Sequence, residues 1–198
     1  MTDEHQVRET LNDAISSIKT VCTFAIGGVA NLPLPRLRVE RAGSISLPLQ
    51  ESHINFIITA SEQAPFRKGA QTVVDTAVRN CRQVDANKVT VGLSWQTAIH
   101  QLAVQSATSL GVHSCKVVPR LYKLIVYPPG GFFKPHQDTE KEPAMFATLV
   151  IQIPSQFEGG NLIVNHKNDR KFFNLIKKAI PGFIQPLSMA TVNTSSKQ

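Results

Sequence analysis

The sequence has few cysteines and no long hydrophobic run, and each shortage excludes a class of protein. It has three cysteines, Cys22, Cys81 and Cys115. An odd number at wide spacing predicts reduced thiols instead of a disulfide framework, and hence a cytoplasmic or nuclear protein. No apolar run approaches the ~20 residues of a membrane-spanning helix, so no membrane partner is predicted. The first residues, MTDEHQVRET, are acidic and polar, which does not fit a secretory signal peptide.

Charged residues are also sparse, at 18% of the chain, whereas 42% of the residues are hydrophobic. For 198 residues this composition predicts one folded domain, or one domain with an extension. The net charge of +7 is concentrated near the end, where residues 161–198 contain six basic residues and one acidic residue. A basic tail can bind nucleic acid, but the sequence has no zinc-finger spacing and no aromatic ladder. Nucleic-acid binding is therefore an alternative that the sequence does not favour.

Hydrophobic periodicity predicts a mixed α+β chain. Apolar residues recur at helical spacing in three segments, and they alternate with period two or form short apolar runs in three later ones. The predicted helices lie at residues 3–18, at Glu51 to Gln63, and from a cap at Ser94 to just before Gly111. The predicted strands lie at residues 117–126, 146–153 and 161–165.

The segment YPPGGFFKPHQD, residues 127–138, contains the residues with the clearest chemistry. His136 and Asp138 are two positions apart, so on an extended chain they point to the same side. One imidazole nitrogen and one carboxylate oxygen can then bind a single cation. This donor pair suits iron(II), which non-haem oxygenases hold with two histidines and one carboxylate. The spacing alone is a weak signal, and structural zinc is an alternative, although no cysteine lies near the pair.

The context makes the motif specific. Residues 121–164, LYKLIVYPPGGFFKPHQDTEKEPAMFATLVIQIPSQFEGGNLIV, resemble the core of the 2-oxoglutarate- and iron(II)-dependent dioxygenases of the prolyl 4-hydroxylase-like type. Residues 23–49 and 64–80 also resemble the N-terminal part of an uncharacterised fungal and algal subgroup. The resemblance extends from about Thr23 to His166, most of the chain.

The resemblance implies a role for each matching residue. His136 and Asp138 would bind Fe(II), and Tyr127 would offer its hydroxyl to a carboxylate of 2-oxoglutarate. Gln152 would line the same pocket from inside the barrel. The implied reaction is hydroxylation of an unknown protein or small-molecule substrate, with ascorbate as a reductant.

Two residues that the resemblance requires are missing. Members of the family have a distal histidine as third iron ligand, and beyond it an arginine or lysine that binds the far carboxylate of 2-oxoglutarate. The only histidine after Asp138 is His166, which comes too early, because several barrel strands must lie between the two ligands. We therefore expect a C-terminally truncated chain that is inactive alone. The alternative is a catalytically inactive binding or regulatory module that retains half of the metal site.

The expected fold is α+β, a partial double-stranded β-helix, or jelly-roll, with N-terminal helices packed on it. Residues 1–113 would form the N-terminal helical and mixed part of the domain. Residues 114–170 would form the first half of the double-stranded β-helix with the His-x-Asp motif, and residues 171–198 a basic, flexible tail.

Overall fold

The computed structural model describes residues 23–68, 71–138, 140–155, 157–174 and 187–193. The helix predicted at residues 3–18 lies outside this range. The described part contains two α-helices, a short 3-10 helix and fifteen strands, so the predicted mixed α+β class is confirmed. Neither α-helix has both the length and the apolarity that crossing a membrane requires.

Helix α1 spans Glu51–Ala60 and buries Ile57, while helix α2 spans Leu93–Ser109. Helix α1 ends earlier than the predicted Gln63, because Ser61 is extended and the next two residues form a strand. Helix α2 is capped by Gly92 instead of the predicted Ser94. Gly111 lies beyond its end at a φ of 84°, as expected of the glycine that closes a helix.

The strands are short and most have two to six residues. They are β1 Ala25–Ala30, β2 Arg38–Val39, β3 Gly43–Ser44, β4 Glu62–Gln63, β5 Phe66–Lys68, β6 Gln71–Val73, β7 Arg79–Asn80, β8 Arg82–Asp85, β9 Val89–Thr90, β10 Lys123–Val126, β11 Phe132–Phe133, β12 Ala147–Gln152, β13 Leu162–His166, β14 Asp169–Phe173 and β15 Leu187–Asn193.

These strands form six small sheets, and every pairing between named strands is antiparallel. The orders are β1-β15-β12, β10-β8-β4, β3-β2-β9, β11-β7, β13-β14 and β5-β6. The β10–β8 and β11–β7 pairings connect the two predicted parts, residues 1–113 and residues 114–170. Within the range predicted as a basic tail, strand β15 pairs with β1 on one side and β12 on the other.

The hydrophobic core lies between α1, the β3-β2-β9 sheet and the β10-β8-β4 sheet. Its buried members are Leu37, Val39, Ile45, Ile57 and Val84. From strand β10, Leu124 and Val126 pack against this cluster. The core thus holds the end of β10 in place. The segment that follows, residues 127–138, contains His136 and Asp138.

Candidate metal site

The segment with His136 is attached to the rest of the chain through strand β7. After β10, the sequence Pro128-Pro129-Gly130-Gly131 turns the chain, and β11 then pairs with β7. The Lys134 amide extends the pairing by donating to the carbonyl of Val78, 3.0 Å away. The residues just before the motif are therefore held by backbone hydrogen bonds to a distant part of the sequence.

Two contacts fix the imidazole of His136. Its Nδ1 lies 2.9 Å from the carbonyl oxygen of Lys134, and its ring stacks on Phe133 with 3.4 Å between the ring centroids. Because a carbonyl oxygen only accepts hydrogen bonds, Nδ1 is the donor and carries a proton. The other nitrogen, Nε2, lies 3.6 Å from Oδ1 of Asp138.

Asp138 is half-buried and holds its charge. The neighbouring imidazole of His136 is the main cause that lowers the pKa of Asp138 below its usual 3.8, and its effect outweighs that of partial burial. Thr148, on strand β12, donates a hydrogen bond of 3.3 Å to Oδ2 and lowers the pKa further. The carboxylate is therefore ionised at neutral pH, with Oδ1 directed towards the histidine.

Tyr127 comes directly after β10 and lies in the same neighbourhood. Although 52% of the residue is accessible, burial is the main cause that raises the pKa of Tyr127 to about 12. A hydrogen bond with Cys81 and the negative charge of Asp138 act in the same direction, and the Arg79 guanidinium opposes them. The hydroxyl consequently keeps its proton at neutral pH and can donate a hydrogen bond.

Arg79 and Cys81 complete this neighbourhood, and the sequence pattern predicts neither of them as a site residue. Arg79 donates from Nε to the sulfur of Cys81 at 3.1 Å and from Nη1 to the carbonyl of Pro65 at 2.6 Å. Its guanidinium carbon lies 4.4 Å from the ring centroid of Phe133. The signal in the sequence is the spacing of two between Arg79 and Cys81, which places both on one face of a strand. The surrounding residues show no clear period, so no strand was predicted there.

The remaining predicted residue, Gln152, lies at the other end of strand β12. Its side-chain amide donates to the carbonyl of Ile153 at 2.7 Å and to the hydroxyl of Ser155 at 3.3 Å. Gln152 is four strand positions beyond Thr148, a distance of about 13 Å. The structure therefore brings Tyr127, His136 and Asp138 together, and Gln152 does not join them.

His166 lies elsewhere as well. It ends strand β13, where its ring stacks on Phe24 with 5.3 Å between the ring centroids. Within the part of the chain that the structure describes, no three histidine, cysteine, aspartate or glutamate side chains come close enough to hold a metal ion. Cys81 and Cys115 are free thiols, and Cys22 lies outside the described residues.

The pair His136 and Asp138 nevertheless fits one side of a metal centre. Two ligand atoms that each lie about 2.1 Å from one ion are about 3.0–3.4 Å apart at octahedral or tetrahedral angles. The observed 3.6 Å is close to this range. Metal-binding histidines usually donate their second N–H to a carbonyl or carboxylate, as Nδ1 does here. The donors present thus fit an ion, as two ligands of an incomplete set.

Comparison with known proteins adds no family: the chain matches no protein-family model, no curated protein and no solved structure.

Proposed function

We propose that this chain carries an iron(II) half-site of the 2-oxoglutarate-dependent dioxygenase type, similar to prolyl 4-hydroxylases. The observation that supports this best is the orientation of His136. Its Nδ1 is held by the carbonyl of Lys134, so Nε2 is directed at an ionised carboxylate. A nitrogen lone pair and a carboxylate oxygen repel each other at this distance unless a cation or a proton lies between them.

The same proposal includes the architecture of the domain, a partial double-stranded β-helix. In this architecture, the β1-β15-β12 and β10-β8-β4 sheets are parts of its two faces. Two observations support this architecture: both sheets are antiparallel, and both contribute to the site. Tyr127 follows β10 of one sheet, and Thr148 lies on β12 of the other.

Each residue has a specific role in this proposal. His136 and Asp138 bind the ion from one side, and Thr148 holds the carboxylate in place through Oδ2. Tyr127 donates a hydrogen bond from its hydroxyl to a carboxylate of 2-oxoglutarate. Bound iron would supply the activation of dioxygen for hydroxylation of a C–H bond. The substrate, a protein or a small molecule, would approach from the exposed side of Tyr127.

A second candidate function is a binding or regulatory module that has lost catalysis. It is favoured by the position of His166 against Phe24, which leaves two ligands instead of three among the residues whose structure is described. Two protein ligands hold iron less tightly than three. The two candidates therefore differ in iron affinity and in turnover.

The experiment that tests the proposal is anaerobic Fe(II) titration of the purified chain, with and without 2-oxoglutarate. We expect 2-oxoglutarate to tighten Fe(II) binding, and we expect His136→Ala to abolish that binding. His113→Ala replaces an exposed histidine and serves as the matched control, which should bind Fe(II) as the wild type does.

Three outcomes separate the candidates. Binding that is insensitive to His136→Ala contradicts the proposed half-site. Binding that needs His136, without formation of succinate in air, supports the inactive module. Binding with succinate formation supports the dioxygenase, and loss of both on His166→Ala would then identify His166 as a further ligand.

A further inference from the structure

Strands β13 and β14 form a hairpin whose side chains alternate between two faces. The inner face is held against the residues around the start of β1. His166 stacks on Phe24, and Lys171 lies over the same ring, 4.9 Å from its centroid. Lys171 also donates a hydrogen bond of 2.8 Å to the carbonyl of Ala25. Because these contacts use one face of the hairpin, the opposite face is directed away from β1.

This outer face consists of two directly opposed pairs, Ile163 with Phe172 and Asn165 with Arg170. All four residues are exposed, Phe172 at 61%. Opposed Cβ atoms in an antiparallel pair are about 5 Å apart, so Ile163 and Phe172 form one apolar patch. The guanidinium carbon of Arg170 lies 4.7 Å from the centroid of the Phe172 ring. The outer face thus presents an aromatic ring and a guanidinium plane side by side.

The charge on and around this face is positive. Arg170 lies on the face and Lys167 in the turn of the hairpin, and within the described part of the chain neither belongs to an ion pair. The only acidic residue of the hairpin, Asp169, is paired with His166 and therefore belongs to the inner face. In the sequence, three more lysines and no acidic residue follow Phe173. The partner that complements this surface is an anion.

An anion that also carries planar groups would use both parts of the surface. Nucleobases stack on aromatic rings and on guanidinium planes, while phosphates bind arginine and lysine. Bases inside a duplex already stack on their neighbours, whereas those of a single strand are accessible. An acidic peptide or an anionic lipid surface would match the charge but has no planar group to cover Phe172. The observations therefore favour a single strand.

We infer that the outer face of the β13–β14 hairpin binds single-stranded nucleic acid. One base stacks on Phe172, and Arg170 and Lys167 bind the neighbouring phosphates. The sequence contains no aromatic ladder, because this surface arises only when the two strands pair. The inference involves neither His136 nor Asp138 and does not depend on the proposed iron half-site.

The test is binding of a fluorescently labelled oligothymidylate of about 20 nucleotides, enough to cover one site of this kind, to the full chain. Fluorescence anisotropy at low salt measures the affinity. We expect Phe172→Ala to weaken binding about 5- to 150-fold, the usual worth of one stacked base. Phe172→Leu keeps an apolar side chain without a ring and should lose nearly as much. Phe172→Trp keeps a ring and should bind as the wild type does.

Phe56→Ala is the matched control for the ring. Phe56 is 56% exposed on helix α1, in a different part of the chain, and its removal should leave the affinity unchanged. If Phe172→Ala loses its cooperative thermal transition, the comparison of Phe172→Leu with Phe172→Trp takes its place.

The salt dependence tests the charge. Arg170→Gln should weaken binding and reduce the slope of log affinity against log salt concentration by about 0.7, the contribution of one phosphate contact in a single strand. Arg38→Gln removes the same charge from an exposed position on strand β2 and should leave the slope unchanged.

The outcomes decide between nucleic acid and the other anions. Absence of oligothymidylate binding at low salt overturns the inference, and so does binding that Phe172→Ala and Phe172→Leu both retain. Polyglutamate and phosphatidylserine vesicles are titrated in parallel. If either binds as tightly as the oligothymidylate, with the same loss in Phe172→Ala, the surface is not a nucleic-acid site. Preferential binding of the oligothymidylate that needs the ring and Arg170 supports it.

Discussion

Tyr127 follows strand β10 directly, and Cys81, Arg79 and Asp138 all act on its pKa. Burial is the main cause that raises this pKa from 10.0 to about 12. Because the folded value is the higher one, protonated Tyr127 stabilises the fold fully below pH 10. This contribution is lost as the pH rises from 10 to about 12.

The first prediction follows from this shift. Titration of tyrosinate absorbance in the near ultraviolet should show one step with a midpoint at about pH 12. Tyr127→Phe should remove this step, whereas Tyr122→Phe should leave it in place. A Tyr127→Phe variant that keeps the late step would show that the hydroxyl is not shielded as described.

At the residue scale, the sequence predicts the site residues that are close together along the chain, but it does not predict those that come from a distant part of the chain. His136 and Asp138 are two positions apart, so an extended chain places them on one side. Arg79 and Cys81 lie far away in sequence and reach the site only through the β7–β11 and β8–β10 pairings. No local pattern predicts such pairings.

At the scale of elements, the turn between β10 and β11 depends on Gly131. A Cβ atom at this position would lie 2.7 Å from the carbonyl oxygen of Pro128 and 2.9 Å from that of Asn80. Both are backbone atoms, so the clash cannot be relieved by a side-chain movement. A side chain at Gly131 would therefore push β11 away from β7.

We accordingly expect Gly131→Ala to lower the free energy of unfolding by about 1–3 kcal/mol, the usual cost of overpacking. Metal binding through His136 should weaken as well. Gly28→Ala is the control, because a Cβ at Gly28 has no atom within 4 Å. Denaturant unfolding of both variants measures the difference, and equal stability of the two would contradict the described turn.

Strand lengths show where the sequence pattern stops being informative. Alternation predicts a strand over residues 117–126, but β10 covers only Lys123–Val126. Its partner β8 begins at Arg82 and ends at Asp85, which pairs with Lys123, so β8 does not extend far enough to pair with the residues before Lys123. Strand β15 was not predicted, because its alternation is short and it is surrounded by proline and polar residues.

At the scale of the whole molecule, Ile57 connects helix α1 to the core. It is 2% exposed and packs with Leu37, Val39, Ile45 and Val84. Truncating a buried isoleucine removes its contacts and leaves a cavity. Because the β10-β8-β4 sheet lies on the same core, the effect extends to the end of β10.

The corresponding prediction is that Ile57→Ala lowers the free energy of unfolding by about 2–5 kcal/mol. Ile163→Ala, at an isoleucine that is 39% exposed on strand β13, should change it by less than about 1 kcal/mol. Thermal or denaturant unfolding of the two variants compares them directly. Similar losses would mean that the core does not centre on Ile57.

The position of β15 has a consequence for how the protein is made. The ribosome synthesises β1 first and β12 much later, and it makes β15, the strand that pairs with both, only after β12. The residues of the β10-β8-β4 sheet are all synthesised before Leu187. The β10-β8-β4 sheet can thus form while the chain is still growing. The β1-β15-β12 sheet cannot form until β15 is made, and until then β1 and β12 have unpaired edges. Open edges of this kind aggregate, so we expect the nascent chain to need protection until synthesis passes Asn193.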